Sequence, residues 1–380
     1  MKPTARPSIA GEVGGAFGDL GTLLPILLGA VAVAGMSAGG VLVGFGVFLI
    51  ATGVIYRLPM PVQPMKAVGA LVIAGGLVPG EVAAAGIAGG LILLALTLSG
   101  ATAWAARVVP RSAVLGLQLG VGASMAWIGI GLVWAGPLTA GIALVLLLGL
   151  PRLAPRLPSV PLALAAAIAV DLAAGTALPP MPSVAFAMPP LVLPGSGEEA
   201  WHGLLFGALP QLPLTLANAV LLPALLVREM FPPASAAHAS ERRLGLVTGG
   251  ANVLLTPFGA LPMCHGAGGL IAQHRFGART GWAPVLLGAL LLPMGLFFAE
   301  DAARLLAVVP SGALGALLIL AGSDLALSRR LLEVRSECRP AIAAAVVATF
   351  ALNPALGIAA GWIAEWARMS LRPRRRADEV

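Results

Sequence analysis

The chain has 380 residues, of which 58% are hydrophobic and only 10% charged, and its mean hydropathy is +0.95. A soluble domain carries about 25% charged residues, so this composition excludes a water-soluble fold and calls for an all-α polytopic membrane protein. The net charge of +7 does not point to nucleic acid, because the basic residues sit in short loops and the tail, where membrane topology accounts for them.

At ~20 residues per span there is room for roughly a dozen membrane segments and little else. Apolar runs between polar or Gly/Pro breaks divide the chain into about fourteen segments, some of half length. The first seven lie near 12–33, 40–56, 64–76, 82–103, 112–133, 138–150 and 160–175. The basic lead with Lys2 and Arg6 runs into a segment interrupted by Glu12 and Asp19, a poor signal-peptide core that is expected to stay. Asp19 is the deepest acid of that segment; carrying a coupling proton, pairing with Lys66 and capping a helix break are all open to it.

The third segment is entered through Pro59, Pro61 and Pro64, which hold the backbone extended and suit the first turn of a helix. Lys66 follows, the only lysine inside any apolar segment, and then small residues sufficient for a half-length helix. An ammonium at membrane depth normally faces a cavity or a partner, and a short helix starting there aims free N–H groups and its positive end forward. Gln63 and Lys66 are therefore candidates for an anion site; the alternative is an ordinary helix start with Lys66 snorkelling to the surface.

Residues 176–201 are too proline-dense for a helix and predict an ordered linker outside the lipid. The second seven segments lie near 202–227, 244–261, 265–275, 282–299, 303–327, 341–352 and 354–369, with a basic cytoplasmic tail at 371–380. In the eighth, Gln211, Thr215 and Asn218 share one helical face, where amides and hydroxyls either bind an oxyanion or join helices. In the tenth, His265 precedes Gly266, Gly268 and Gly269. Glycines leave backbone N–H groups open to a ligand and an imidazole donates to an oxyanion, or else the glycines serve helix packing and His265 a structural bond. Gln273, Arg275 and Arg279 close that segment, as charges of the cytoplasmic face or as gating groups. Asp171 and Asp324, near segment ends, are assigned to the interface. The Cys264–His265 pair lacks the count and spacing of a metal site, and no nucleophile, phosphate loop or dinucleotide fingerprint supports an enzyme or a cofactor.

The charges test this layout. With the N-terminus inside, alternate loops hold Arg57, Arg107, Arg111, Arg152, Arg156, Arg228, Arg242, Arg243, Arg275 and Arg279, then Arg329, Arg330, Arg335 and Arg339. The opposite loops hold Glu81, Glu198, Glu199, Glu300 and Asp301, with Arg304 the only basic residue. Such asymmetry fits an even number of spans with both termini in the cytoplasm, in an inner (plasma) membrane. An odd number of segments in each half, 1–175 and 202–370, makes the halves inverted repeats, a transporter device. Pro61-Val62-Gln63-Pro64 and Pro262-Met263-Cys264-His265 open the third and tenth segments alike.

Four stretches, F-G-D-L-G-T-L-L-P at 17–25, P-V-Q-P-M-K at 61–66, Q-L-P-L-T-L-A-N at 211–218 and P-M-C-H-G-A-G-G-L-I-A-Q-H-R-F-G-A-R-T-G at 262–281, together carry a family likeness. In these motifs, and over most of its length, the chain resembles the molybdate transporter family, a branch of the sulfate permease superfamily. The resemblance implies fourteen segments in two inverted repeats, a core domain moving against a gate domain, and oxyanion binding between half-helices at segments 3 and 10. Resemblance to that branch also carries the expectation that the C-terminal regulatory domain of typical sulfate permeases is missing. Many superfamily members place a coupling carboxylate in the eighth segment where this chain has Gln211, which leaves proton or sodium coupling open. The expectation is a secondary transporter for molybdate or, second, sulfate, compatible with a homodimer in the lipid bilayer. A bicarbonate or nucleobase carrier, an anion channel and a membrane sensor are the alternatives; a nucleobase site would want an aromatic surface and a carboxylate, which this region lacks.

Overall fold

The computed structural model describes residues 7–154, 157, 159–177, 180–306, 308–326 and 336–370. The basic tail at 371–380 and Arg156, Arg329, Arg330 and Arg335 of the charge pattern lie outside the described residues.

The first predicted segment divides into two helices, α1 (Ile9–Ala16) and α2 (Leu20–Ala32). The break falls at Gly18-Asp19, and Asp19 stands at the N-cap of α2 without a side-chain cap bond because its carboxylate is turned to Gln63. Next comes α3 (Ala38–Tyr56), capped by the Ser37 hydroxyl and closed by Arg57, the one non-glycine at positive φ (55°) among the described residues. That left-handed residue redirects the chain into the extended, proline-led approach to β1 (Gln63–Pro64) and the short α4 (Lys66–Ile73).

Helices α5 (Pro79–Leu98), α6 (Thr102–Val108), α7 (Arg111–Ala135), α8 (Pro137–Leu153) and α9 (Ser159–Ala173) complete the first half. The described residues 176–177 and 180–196 of the proline-rich stretch then run without helix or strand but are tied down, whereas 197–201, expected in the linker, are already helical. Ala185 and Ala187 donate to the carbonyls of Phe297 and Leu296, and Val192 to that of Pro257. The Ser183 backbone N–H and hydroxyl both donate to Asp301, at 2.7 and 3.0 Å, and hold that carboxyl below the usual carboxylate range.

One continuous helix, α10 (Gly197–Met230), follows, with wide π turns at Gly203–Ala208 and Leu216–Leu221. Pro210, Pro213 and Pro223 lack the N–H that a regular helix needs, and Leu209 and Leu222 instead donate five residues back, to Leu204 and Ala217. The remaining elements are α11 (Glu241–Leu255), β2 (Met263–Cys264), α12 (Ala267–Arg275), α13 (Trp282–Phe297), α14 (Ala299–Leu306), α15 (Ser311–Ala326), α16 (Arg339–Ala351) and α17 (Pro354–Ser370). The predicted twelfth segment, 303–327, is thus two helices, separated before Ser311.

Among the described residues four helices, α3, α5, α7 and α10, are long and apolar enough to cross a membrane, and α8, α9, α13, α15 and Thr22–Val31 within α2 are shorter apolar helices. Five of the seven exposed tryptophans, Trp104, Trp134, Trp201, Trp282 and Trp366, lie towards helix ends, where membrane interfaces favour them; Trp127 and Trp362 lie within helices. The protein is a multi-pass membrane protein.

Pairing is set by small residues. Antiparallel α3 and α13 meet along Gly39, Gly46 and Gly53 against Gly295, Gly288 and Gly281, a seven-residue step on each helix. At each position a Cβ would run into the backbone or first side-chain atoms of the other helix. Helices α7 and α15 meet the same way at Gly122–Gly322 and Gly129–Gly315. In lipid, where no hydrophobic drive joins helices, such close backbone approach supplies the packing energy.

Candidate functional site

At the centre, β1 and β2 form a two-stranded antiparallel ladder with Gln63 opposite Cys264 and Pro64 opposite Met263. Met65 N–H donates to the Pro262 carbonyl at 2.8 Å, which makes Pro64–Met263 the pair without mutual hydrogen bonds. The missing N–H of Pro64 therefore costs the ladder nothing. Met263 turns its own N–H and C=O away from β1, and Asn252 of α11 meets both: its Oδ1 accepts at 2.7 Å and its Nδ2 donates at 2.6 Å. His265 is fully buried between the two halves, its Nδ1–H donating to the Pro61 carbonyl and its Nε2 accepting from the Tyr56 hydroxyl, both at 3.0 Å. Phe48 and Tyr56 flank the ring. With both nitrogens engaged, His265 joins the strands and has no donor to spare.

The first turns of α4 and α12 come next. Ala67 N–H in α4 donates to Gln211 Oε1 at 2.8 Å, and Gln211 Nε2 donates to the Thr215 hydroxyl at 3.1 Å, so Gln211 caps α4 from α10. Gln63 Nε2 donates to Asp19 Oδ1 at 2.6 Å, while Asp19 Oδ2 and Gln63 Oε1 are buried without a hydrogen-bond partner. Both side chains lie against the start of α12, where a Cβ at Gly266 would strike the Gln63 amide and one at Gly269 the Asp19 carboxylate. A carboxylate at a helix N-terminus is favourably placed against its dipole. Gly268, between them, is exposed, and nothing lies within 4 Å of where its Cβ would be. Gly266→Ala is accordingly expected to lower the melting temperature of the purified protein by several degrees, and Gly268→Ala to leave it unchanged.

These elements wall a cavity of about 390 Å³. Of the residues singled out in the sequence, Asp19, Gln63, Lys66, Gln211, Asn218, His265, Gly266 and Gly268 line it. Thr215 lies behind Gln211; Gln273 is buried towards the other end of α12 and Arg275 is exposed there, neither on the cavity wall. Lys66 is partly buried and makes no hydrogen bond or ion pair among the described residues, Asp19 included. Thr22, Gln118 and Ser159 add polar groups that sequence reading passed over, although Gln118 is the only amide of its segment. Asp324, assigned to the interface from the sequence, is exposed near the end of α15 and also lies on the cavity wall next to Ala321 and Leu325. The cavity reaches the ends of α8 and α15 and the first turn of α9, the ends that border Arg152. Among the described residues no three His, Cys, Asp or Glu side chains gather as a metal site.

Residues 11–125 and 203–325 match a family described as "Molybdate transporter of MFS superfamily". The chain belongs to the molybdate transporter family. Molybdate transporter 2 of Arabidopsis thaliana is 30% identical over 409 residues, spanning 93% of this chain and 86% of the plant protein. Molybdate transporter 1 of Chlamydomonas reinhardtii is 30% identical over 435 residues, covering 83% of each. Among solved structures, the transmembrane domain of the cyanobacterium bicarbonate transporter BicA superposes with a TM-score of 0.65 at 17% identity, covering 92% of this chain and 97% of that domain. SLC26A9 gives 0.67 at 13% identity, covering 95% of this chain and 65% of its own. In this member of the molybdate transporter family the fold is therefore the one shared with BicA and SLC26A9.

Proposed function

We propose that the protein is a secondary active transporter of a tetrahedral oxyanion, molybdate first and sulfate second, working by alternating access. The observation that carries this reading is Lys66: an ammonium without a direct partner on the wall of a polar cavity, in a chain of the molybdate transporter family. A cation at that depth is retained where an anion comes to it. In this reading the oxyanion sits between Lys66, the Asn218 amide and the open first turn of α12 at Gly268, with Gln63 beside it. Gln211, Thr215 and His265 hold the two half-helices in place rather than touching the anion. Gln273 and Arg275 lie towards the other end of α12, away from the anion.

The helix pairings support two inverted repeats, 1–175 and 202–370. A two-fold that exchanges the third and tenth segments maps β1 onto β2, which pair with each other, and α7 onto α15, which also pair. It turns the α3–α13 pair into the α11–α5 pair, and the stack of α7, α16 and α17 into that of α15, α8 and α9. On this symmetry the cavity lies where a core built on α4 and α12 meets a gate built on α7 and α15. In this reading the cavity opens on the side of Arg152, which the excess of basic residues in alternate loops makes the cytoplasm, and both termini lie on that side of an inner membrane.

The test is uptake of labelled molybdate at submicromolar concentration into proteoliposomes, with excess sulfate as competitor. Uptake that resists sulfate is the expected result; uptake abolished by sulfate makes this a sulfate carrier, and no uptake of either refutes the reading.

A further inference from the structure

The cavity holds two carboxylates and one ammonium on different walls. Lys66 stands on α4, and Asp19 at the α1–α2 break is committed to Gln63 and to the first turn of α12. Asp324, on α15, is exposed at the rim and makes no hydrogen bond or ion pair among the described residues. Lys66 lies within electrostatic reach of both acids but in contact with neither. Closing the cavity around a bare ammonium is costly, because a charge removed from water needs a compensating partner at close range. When an oxyanion is bound, it is that partner; when the cavity closes empty, the carboxylate of Asp324, on another helix of the same cavity, is the group that can take its place.

We propose that Asp324 is a tethered counter-anion, which pairs with Lys66 when the cavity closes empty and is displaced by the oxyanion when it closes loaded. This rests on the oxyanion-carrier reading and adds to it the step that resets the carrier. Net uptake requires an empty return, whereas exchange of internal for external oxyanion does not. The same carboxylate repels the incoming dianion, so removing its charge strengthens binding. At cavity distances through a water-filled space, one charge against a dianion changes affinity by about three- to tenfold.

The experiment compares wild type, Asp324→Asn and Asp324→Glu in proteoliposomes, with molybdate as the probe. Binding, net uptake into empty vesicles and exchange against internal molybdate are measured on each. Asp324→Asn is expected to bind molybdate about three- to tenfold more tightly. Its net uptake is expected to fall about tenfold, with exchange kept within about twofold of wild type, because only the empty return loses its counter-ion. Asp324→Glu, which keeps the charge, is expected to retain net uptake. If Asp324→Asn lowers net uptake and exchange in parallel, or leaves both uptake and affinity unchanged while wild type binds molybdate, the counter-anion role is overturned and the carrier reading stands. A wild-type protein that binds neither molybdate nor sulfate removes the carrier reading, and this inference with it.

Discussion

Lys66→Ala is expected to abolish molybdate uptake and to weaken molybdate binding at least about a hundredfold, the cost of removing one partner of a close, partly desolvated charge pair. Lys66 is the first residue of α4, where alanine is a good helix former, and it has no ion pair to lose. A partly buried cation without a partner contributes only its desolvation cost to the empty protein. The melting temperature of ligand-free Lys66→Ala should therefore equal or exceed that of wild type. Lys66→Arg should keep measurable binding but not full affinity, since the longer planar fork restores charge without restoring the reach of the ammonium. Calorimetric titration of molybdate, with thermal unfolding of the same samples, checks all three expectations. Unchanged binding in Lys66→Ala would remove the anion site from this cavity.

What could be read from the sequence follows the physics of lipid. Charge asymmetry and apolar runs gave the segment pattern because a helix in a bilayer must satisfy its own backbone and keep its charges at the ends. The break at Gly18-Asp19 was harder to see, because the composition of 12–33 is apolar on both sides of it. Asp19, for which capping a helix break was one of three open roles, stands at that break with its carboxylate held by Gln63. The π turns of α10 were not read from the sequence, although Pro210, Pro213 and Pro223 stand in that segment, because only the neighbouring helices decide whether a proline kinks a helix or widens it.

The same division runs through the candidate site. Lys66, Asn218 and the tenth-segment glycines were legible because polar or small residues are conspicuous in an apolar chain. Their roles were not. Gln211 and Asn218 lie seven residues apart in one helix, yet one caps α4 and the other faces the cavity without a hydrogen bond of its own. His265 looked like a donor to a ligand until Pro61 and Tyr56 were found to occupy both ring nitrogens. Tyr56 is the chain's single tyrosine and gave no signal by spacing, because it reaches His265 across 209 positions of sequence.

Asn252 is the residue that sequence reading missed with the largest consequence, and Asn252→Leu is expected to destabilise the protein and to abolish binding together. Its side chain is fully buried, donating to the carbonyls of Thr248 and Met263 and accepting from Met263 N–H. Leucine fills a similar volume but leaves both polar groups of Met263 buried and unpaired, at about 1–3 kcal/mol for each. β2 then loses its anchor on the side away from β1, and with it the placement of His265 and Gly266. Asn252→Asp keeps the acceptor for Met263 N–H but sets a carboxylate oxygen against the Met263 carbonyl, so it should recover only part of the loss. The contrast with Lys66 is the informative part. A site residue and a scaffold residue both abolish transport, but only the scaffold variant falls in melting temperature without ligand. Ligand separates them again: molybdate at a hundred times its dissociation constant stabilises a competent site by about 2.7 kcal/mol, so wild type gains that stability in full. Asn252→Asp should gain a part of it at higher concentration, because the site still forms when the strand is held. Lys66→Ala should gain none at any concentration, because the folded site is intact and the charge that held the anion is gone.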